Sequence, residues 1–427
     1  MSRILKAKTA TDYLLVAGLI AVSGFPYFMV SQVNFFLLFV FAALVYLKRS
    51  VPFEPQLLVV VFAFLVVEVL QYFVLRAVDL VTISGTVIRM FLSIFILCLV
   101  RGKFITYFVN ILYVLSLISF LFFIPSLLFP PFFNFFVTHI CPIFNSPFAD
   151  PDGFYIVWPT NLLFCFHDCV LSEFRNPGPF WEPGLFAVFL TLALLFNLIL
   201  EKKLWTKKNM VFILALISTF STAGYIALFV LLFSFYIVNQ SLVKKIILSL
   251  LILPALLTLY FSLDFLSTKV EQNINMAGST TSSRFGSALI DFTDFLKSPY
   301  IGWGRGALRY GGRTFTFFSD DQHRNNSVTD VLATYGLFLF LFYFYSYYSS
   351  LKSLCLTNGF NTHFAFYALL VILILGFSQS IFLKPFFYSI LFLRFIGKTN
   401  QTQAREEQHD KEGQTGAVTL LTTNESE

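Results

Sequence analysis

Residues 57–75 read LLVVVFAFLVVEVLQYFVL and contain a single charged side chain, Glu68. A straight α-helix needs about 20 apolar residues to cross the hydrocarbon core of a bilayer, so this stretch is long enough to span one. Similar runs of Phe, Leu, Ile and Val fill most of residues 13–397. The pattern predicts an all-α, polytopic integral membrane protein.

The composition supports the same fold class. Hydrophobic residues make up 57% of the 427 residues and charged residues 12%, far from the average of soluble domains. We expect about twelve transmembrane helices, near residues 13–30, 34–47, 57–75, 81–100, 104–129, 183–200, 209–222, 223–239, 246–263, 326–349, 364–383 and 386–397.

The basic residues predict the orientation of the chain. Lysines and arginines gather in the short connections on one side of the predicted helices, whereas the short connections on the other side contain Arg76 and Lys384. Cytoplasmic loops carry an excess of Lys and Arg, so we expect both termini in the cytoplasm. The net charge of +6 is then a topology signal, and no basic segment resembles a nucleic-acid-binding patch.

Two connections on the predicted outer face are long and polar, about 130–181 and 264–325. Residues 1–397 therefore form a single transmembrane domain in this interpretation, and these two outer loops form its active site. Residues 398–427 are polar and charged, which is typical of a disordered cytoplasmic tail.

Two ionisable residues lie inside predicted helices. Glu68 and Arg89 are both roughly 10–12 Å below the outer end of their helices at the helical rise per residue. Consecutive helices are usually neighbours, so we expect an ion pair between them. Such a pair either lowers the cost of burying two charges or marks a functional site.

The first outer loop ends in FRNPGPFWEPG, residues 174–184. It contains a cation, Arg175, and an acid, Glu182, close to the start of a helix. The helix dipole favours a carboxylate in the first turn, so Glu182 is interpreted either as a capping residue or as a catalytic one. The loop also contains Cys141, Cys165 and Cys169. A disulfide from Cys141 to one of the other two and unpaired thiols fit equally well.

The second outer loop contains three candidate segments, and the first is SSRFGSALIDFTDFLKSP, residues 282–299. Phe285, Leu289, Phe292 and Leu296 recur at helical intervals, which predicts a short helix on the membrane surface with Arg284 at its start.

A glycine-rich string, GWGRGALRYGGR at residues 302–313, follows. It gathers Arg305, Arg309 and Arg313 without an acid between them. Glycine-rich loops can cradle phosphate, but this string matches no Walker or dinucleotide-binding pattern.

The same loop ends in DDQHRNNSVTDVLATYG, residues 320–336. If a helix begins near His323, then Asp330 lies two turns later on the same face. A histidine at the membrane surface with a carboxylate below it is a candidate general base. A purely structural interfacial histidine is the alternative.

In this order, the segments resemble one family. The chain has Arg-x-x-Gly-x-Phe-x-Glu-Pro before a helix, then Ser-Arg opening an amphipathic segment, then Pro-x-x-Gly-x-Gly, and finally a His/Asn cluster with Gly a dozen residues later. This ordered set is similar to the O-antigen polymerase and O-antigen ligase superfamily of polytopic glycosyltransferases. The resemblance covers about residues 174–340. The chain departs from the family pattern where His323 is followed by Arg324 before Asn325, and where STFSTAGY, residues 218–225, lacks the usual arginine.

The resemblance implies an enzyme on the outer face whose donor is a polyprenyl-diphosphate-linked oligosaccharide. His323 is then the general base, and Glu182 shares that role or holds Arg175 in place. Arginine suits the diphosphate because its planar fork binds phosphate oxygens bidentately. The candidate diphosphate-binding residues are Arg175, Arg284, Arg324 and Arg305.

No cofactor or metal is expected in this mechanism. Two aspartate pairs, Asp150 with Asp152 and Asp320 with Asp321, are the alternative, because carboxylate oxygens hold divalent cations. The first pair is equally typical of an exposed turn. Trp158, Trp181 and Trp303 either stack on sugars or form an interfacial belt.

Three functions follow from this reading. The prediction is a polymerase of O-antigen or another surface polysaccharide in the bacterial inner membrane, with the lipid-linked oligosaccharide and membrane lipid as partners and a chain-length regulator protein as a candidate partner. A ligase that transfers glycan to lipid-A core uses the same donor chemistry. A flippase or exporter of lipid-linked oligosaccharide is the alternative from another class, but transport needs a polar path, and the predicted helices are almost wholly apolar.

Overall fold

The computed structural model describes residues 2–76, 78–144, 148–149, 155–156, 159–166, 175–238, 240–241, 243–244, 284–305 and 326–396. These residues fold almost entirely into helices. In chain order they are α1 (Ser2–Gly24), α2 (Pro26–Val30), α3 (Gln32–Arg49), α4 (Leu57–Leu70, continued by a π-helical turn over Gln71–Leu75), α5 (Leu80–Val100), a 3₁₀ turn (Arg101–Lys103), α6 (Phe104–Leu128), α7 (Pro130–Phe135, continued by a π-helical turn over Phe136–Ile140), α8 (Cys141–Phe144), α9 (Pro183–Glu201), α10 (Lys207–Ser218), α11 (Thr222–Ile237), α12 (Arg284–Lys297), α13 (Ser327–Thr357), α14 (Phe364–Ser378) and α15 (Pro385–Ile396). Phe148–Ala149 and Tyr155–Ile156 form a short antiparallel ladder.

The helices are those of a membrane-embedded protein. Within the described residues, five helical stretches are long and apolar enough to cross a membrane: Gln32–Arg49, Leu57–Leu75, Leu80–Leu128, Pro183–Glu201 and Ser327–Thr357. The stretch Leu80–Leu128 is two helices, because the chain turns at Arg101, where φ is +51°. Three apolar helices, α11, α14 and α15, are shorter. The prediction of an all-α membrane protein is confirmed at this level.

The first predicted helix differs from the observed one. The interpretation of residues 13–30 as one span is wrong, because α1 begins at Ser2 and ends at Gly24, and Pro26 opens a separate short helix. Proline is favoured at the first position of a helix and disfavoured inside one. The predicted span at 246–263 lies outside the described residues.

Helix α9 forms the centre of the bundle. Every side chain from Leu185 to Ile199 is buried, and the helix packs against α6, α10, α11 and α14. Helix α3, by contrast, lies at the periphery and exposes Val33, Phe36, Leu37, Leu44 and Leu47. Exposed apolar surface of this extent is rare in soluble monomers, and it fits contact with lipid chains.

Cys141 lies in a small second core outside the main bundle. Its thiol is free and buried, and it packs with Phe123, Phe164 and Phe166. Of the two alternatives for Cys141, the structure has the unpaired thiol.

Candidate functional site

The segment before α9 is fixed by one buried asparagine. Asn176 Nδ2 donates to Ser119 Oγ at 3.1 Å and to Ser218 Oγ at 2.9 Å. Its backbone N–H donates to the Ser218 carbonyl at 2.9 Å, and its Oδ1 accepts from the Gly178 N–H at 3.0 Å. The loop is thereby tied to α6 and α10, so the residues on either side of Asn176 have defined positions.

Arg175 lies on the turn between α10 and α11. Its Nε donates to the Thr219 carbonyl at 3.0 Å, and its Nη2 donates to the Phe220 carbonyl at 3.3 Å. This turn belongs to the segment STFSTAGY, which lacks the arginine of the resembled family. Arg175 therefore brings a guanidinium to that turn from the preceding loop.

Glu182 is the N-cap residue of α9. Pro183 opens the helix, and the Glu182 side chain makes no capping hydrogen bond. Its negative charge acts on two cations, Arg284 and Lys384. Hydrogen-bonded capping is therefore not the role of this carboxylate, although the helix dipole still favours its charge.

Arg284 is the first residue of α12. Burial lowers the pKa of its guanidinium below the ordinary value, and the nearby Glu182 carboxylate opposes that shift. The ring of the next residue, Phe285, packs edge-on against Phe377 at the end of α14, with centroids 5.2 Å apart. The structure thus brings two predicted site residues, Glu182 and Arg284, into one electrostatic site.

Helix α12 has its polar face towards the protein and its apolar face outwards. Gly286, Ser287 and Asp291 are buried, and Thr329 Oγ1 of α13 donates to Asp291 Oδ2 at 2.7 Å. The four apolar residues predicted to share a face are all exposed: Phe285, Leu289, Phe292 and Leu296. The predicted amphipathic helix is confirmed. Its polar face holds it to the rest of the protein, and its exposed apolar face suits contact with lipid.

Lys384 joins this site from the connection between α14 and α15. Its Nζ lies 3.3 Å from Met29 Sδ. Burial lowers its pKa to about 8, and Glu182 opposes the shift. In the sequence, this lysine is an exception to the charge bias of the short connections. That exception is the feature of the sequence that could have singled out this lysine.

A polar layer connects the start of α9 with the start of α13. Gln379 Nε2 lies 2.4 Å, and Glu182 Oε1 3.6 Å, from the point that a Cβ on Gly184 would occupy. Ser327 Oγ donates to the Gln379 carbonyl at 2.7 Å and to the Gly376 carbonyl at 2.9 Å. A side chain at position 184 would require the Gln379 amide to move away from the carboxylate.

The first turn of α13 is capped by Asn326, whose side chain is buried. Its Oδ1 accepts from the backbone N–H groups of Val328 at 3.0 Å and Thr329 at 3.3 Å. Its Nδ2 has no hydrogen-bond partner among the described residues. Buried amide donors are rarely left unused, and within the described part of the chain this one, at the edge of the polar layer, has no acceptor.

The Pro-x-x-Gly-x-Gly segment docks on a break in α13. The backbone N–H of Trp303 donates to the Ala333 carbonyl at 2.9 Å, and the backbone N–H of Leu337 donates to the Pro299 carbonyl at 2.8 Å. The helix is interrupted at Gly336, where φ is +72° and ψ is 178°. Two motifs that are separate in the sequence therefore form one structural unit.

Gln71 holds this unit against α4. Its Nε2 donates to the Ile301 carbonyl at 2.5 Å and to the Thr334 carbonyl at 2.7 Å. Arg305 follows this segment in the chain and lies close enough for its charge to act on Glu68 of α4.

The predicted ion pair between Glu68 and Arg89 is not observed among the described residues. Glu68 Oε1 instead accepts a hydrogen bond of 3.1 Å from Tyr335 on α13. Arg89 and Arg305 both act on this carboxylate electrostatically, without a direct ion pair to it. The prediction of a direct ion pair was wrong, and the hydrogen-bond donor to this carboxylate is instead a tyrosine distant in sequence.

The remaining predicted residues lie outside the described residues. These are His323, Arg324, Arg309, Arg313, Trp158 and the four aspartates Asp150, Asp152, Asp320 and Asp321. The other site residues occupy three places: Glu182 and Arg284 share the site at the start of α9, Arg175 lies on the α10–α11 turn, and Arg305 lies near Glu68.

Comparison with known proteins adds no family to this description. No protein-family model matches the chain, and no curated protein sequence matches it.

Proposed function

We propose that this chain is a membrane glycosyltransferase that polymerises lipid-linked oligosaccharide repeat units into a surface polysaccharide. The observation that carries the proposal is the charge cluster at the start of α9, where the Glu182 carboxylate acts electrostatically on Arg284 and on Lys384. Partly buried cations from distant segments suit a ligand that concentrates negative charge, and a diphosphate has that property.

The position of α13 supports a contribution from the predicted base. Ser327 lies against Gln379 in the polar layer, and the Asn326 amide nitrogen at its edge has no acceptor among the described residues. His323 precedes Asn326 by three residues, a length of chain that spans at most about 11 Å. We therefore propose that His323 is the general base and that Arg324 is a further contact of the diphosphate.

The proposed topology has about twelve transmembrane helices in the bacterial inner membrane, with both termini in the cytoplasm. The basic ends of α3 and α9 then face the cytoplasm. The start of α9, the start of α13 and the end of α14 face outwards together with the two long loops. The exposed apolar face of α12 supports its placement at the outer membrane surface.

The proposed reaction is a single displacement. A hydroxyl oxygen of the acceptor attacks the anomeric carbon of the donor, and the bond from that carbon to the diphosphate oxygen breaks. The electron pair leaves with the polyprenyl diphosphate, and the hydroxyl proton passes to His323. Cations at the diphosphate stabilise the charge that grows on the leaving group, and the anomeric centre is inverted.

An in vitro assay tests the proposal. Purified protein in lipid nanodiscs receives a polyprenyl-diphosphate-linked repeat unit, and the products are separated by size. A ladder of lipid-linked products without a second acceptor is the result expected of a polymerase.

The same assay separates the alternatives. Transfer that occurs only when lipid-A core is added would identify a ligase. The flippase alternative predicts no new glycosidic bond in either mixture, together with movement of the donor between the leaflets of proteoliposomes.

A further inference from the structure

The connection between α14 and α15 carries Lys384, whose ammonium is acted on by the charge of Glu182 at the start of α9. The contact of this ammonium is a thioether sulfur, Met29 Sδ, at 3.3 Å. A thioether is a weak acceptor, whereas an ammonium has three strong donors. Within the described residues, no ion pair joins Lys384 to a carboxylate. Most of its hydrogen-bonding capacity is therefore available to a ligand.

The backbone that directly follows Lys384 is held firmly. The Phe386 N–H donates to Ser23 Oγ of α1 at 2.9 Å, and Ser93 Oγ of α5 donates to the Pro385 carbonyl at 2.6 Å. A lysine that only snorkels to the membrane surface needs a flexible stem and a solvated ammonium. This lysine instead sits on a fixed connection, beside a sulfur atom and close to a carboxylate.

The charges around Lys384 favour an anion. Glu182 is the described carboxylate that acts on it, and the same carboxylate acts on Arg284. The Glu182 carboxylate therefore acts on both cations, and an anion that binds beside it is attracted by the same two positive charges.

We propose that Lys384 is a further binding residue for the diphosphate of the lipid-linked donor and acts together with Arg284. The identity of this ligand rests on the proposed function. The ammonium binds the non-bridging phosphate oxygens as a point charge, while the guanidinium binds them through its planar fork.

The binding of the diphosphate then depends on pH. The pKa of Lys384 is lowered to about 8 by burial, and Glu182 is the charged group that opposes the shift. The side chains that contact the connection from α1, α2 and α5 are Ser23, Met29 and Ser93, which carry no charge. Lys384 is protonated below its pKa and neutral above it, so the affinity falls as the pH rises through about 8.

The test measures the Kd of a polyprenyl diphosphate for the full-length protein in phosphatidylcholine nanodiscs at two pH values, one on each side of the lysine pKa. Lys384→Met retains the packing of the stem beside Met29, and Lys384→Arg retains the charge. Arg76→Met is the matched control, because Arg76 is the other basic residue in the short connections of that side and is exposed.

We expect Lys384→Met to weaken binding about ten- to a hundredfold at the lower pH, the loss of one hydrogen bond to a charged group. Arg76→Met has unchanged affinity. The wild type loses a similar factor at the higher pH, whereas Lys384→Arg retains its affinity there.

Unchanged binding by Lys384→Met, or equal loss of affinity at high pH in the wild type and Lys384→Arg, overturns the role of Lys384 and leaves the proposed function standing. Absence of binding by the wild type overturns both. Inorganic diphosphate and phosphatidylglycerol serve as competitors. Stronger competition by phosphatidylglycerol assigns the site to phospholipid headgroups and also overturns the inference.

Discussion

Gly302 and Gly336 meet backbone to backbone. A Cβ on Gly302 would lie 2.3 Å from the Thr334 carbonyl oxygen, and a Cβ on Gly336 would lie 2.4 Å from the Tyr300 carbonyl oxygen. Both glycines have positive φ, +70° and +72°, a conformation that residues with a side chain rarely adopt. The described end of the second long loop is therefore joined to α13 through a contact that admits no side chain.

Alanine at either glycine should break this contact. We expect Gly302→Ala and Gly336→Ala each to destabilise the protein by about 1–3 kcal/mol through backbone strain, with further loss from the steric clash. The thermal unfolding midpoint in detergent measures the effect. Gly85→Ala is the matched control, since nothing lies within 4 Å of a Cβ at that helical position. Equal midpoints for the three variants would show that the two backbones do not meet in this way.

Replacing Glu182 by glutamine separates catalysis from binding. If the carboxylate shares the role of base, Glu182→Gln should lower the rate of transfer about 10²–10⁴-fold. Binding of polyprenyl diphosphate should not weaken, because a negative charge beside Arg284 and Lys384 has been removed. Glu201→Gln, an exposed position at the opposite end of α9, should behave as the wild type. Weaker diphosphate binding by Glu182→Gln would argue that the carboxylate holds the cations in place.

The planar guanidinium of Arg175 is predicted to contribute to glycosyl transfer through its geometry as well as through its charge. Its guanidinium donates to two carbonyls of the α10–α11 turn, a geometry that the single ammonium of lysine cannot reproduce. Arg175→Ala should lower transfer about 10²–10³-fold, and Arg175→Lys should recover only a small part. Transfer rates are compared with those of Lys203→Ala, an exposed lysine beyond the other end of α9. Full activity of Arg175→Ala would exclude this arginine from the mechanism.

The orientation of α12 can be measured with spin labels on adjacent residues. A label on Leu296→Cys should be accessible to oxygen dissolved in lipid, because Leu296 is on the exposed apolar face. A label on Lys297→Cys should be accessible to a water-soluble nickel chelate, because Lys297 is exposed and pairs with Asp294 at 3.0 Å. Equal accessibility of both labels to the nickel chelate would place the helix in water.

The long apolar helices could be predicted from the sequence because each one is a run of apolar residues bounded by polar ones. The bounds of α1 could not, since that helix begins in the polar segment before the apolar run. The face of α12 was also predictable, since the spacing of Phe285, Leu289, Phe292 and Leu296 depends only on helical geometry. Local patterns of this kind do not require knowledge of the tertiary contacts.

The contacts between distant segments could not be predicted in this way. Glu68 was expected to pair with Arg89 on the next helix, but Tyr335, 267 residues away, donates to it. Lys384 was interpreted only as a topology signal, because Glu182, whose charge acts on it, is about two hundred residues earlier in the chain. The contact of Gly302 with Gly336 depends on two backbone conformations that only the folded chain reveals.

The most direct test of the proposed function is to count polyprenyl diphosphate molecules released per glycosidic bond formed. Purified protein in nanodiscs is incubated with the lipid-linked repeat unit in the presence of a chelator, and both products are quantified by mass spectrometry. The proposed displacement predicts one diphosphate released per bond, undiminished by the chelator, and a much slower release by Arg284→Ala. Bond formation without release, or wild-type protein that forms no bond with either the repeat unit or lipid-A core as acceptor, would contradict it.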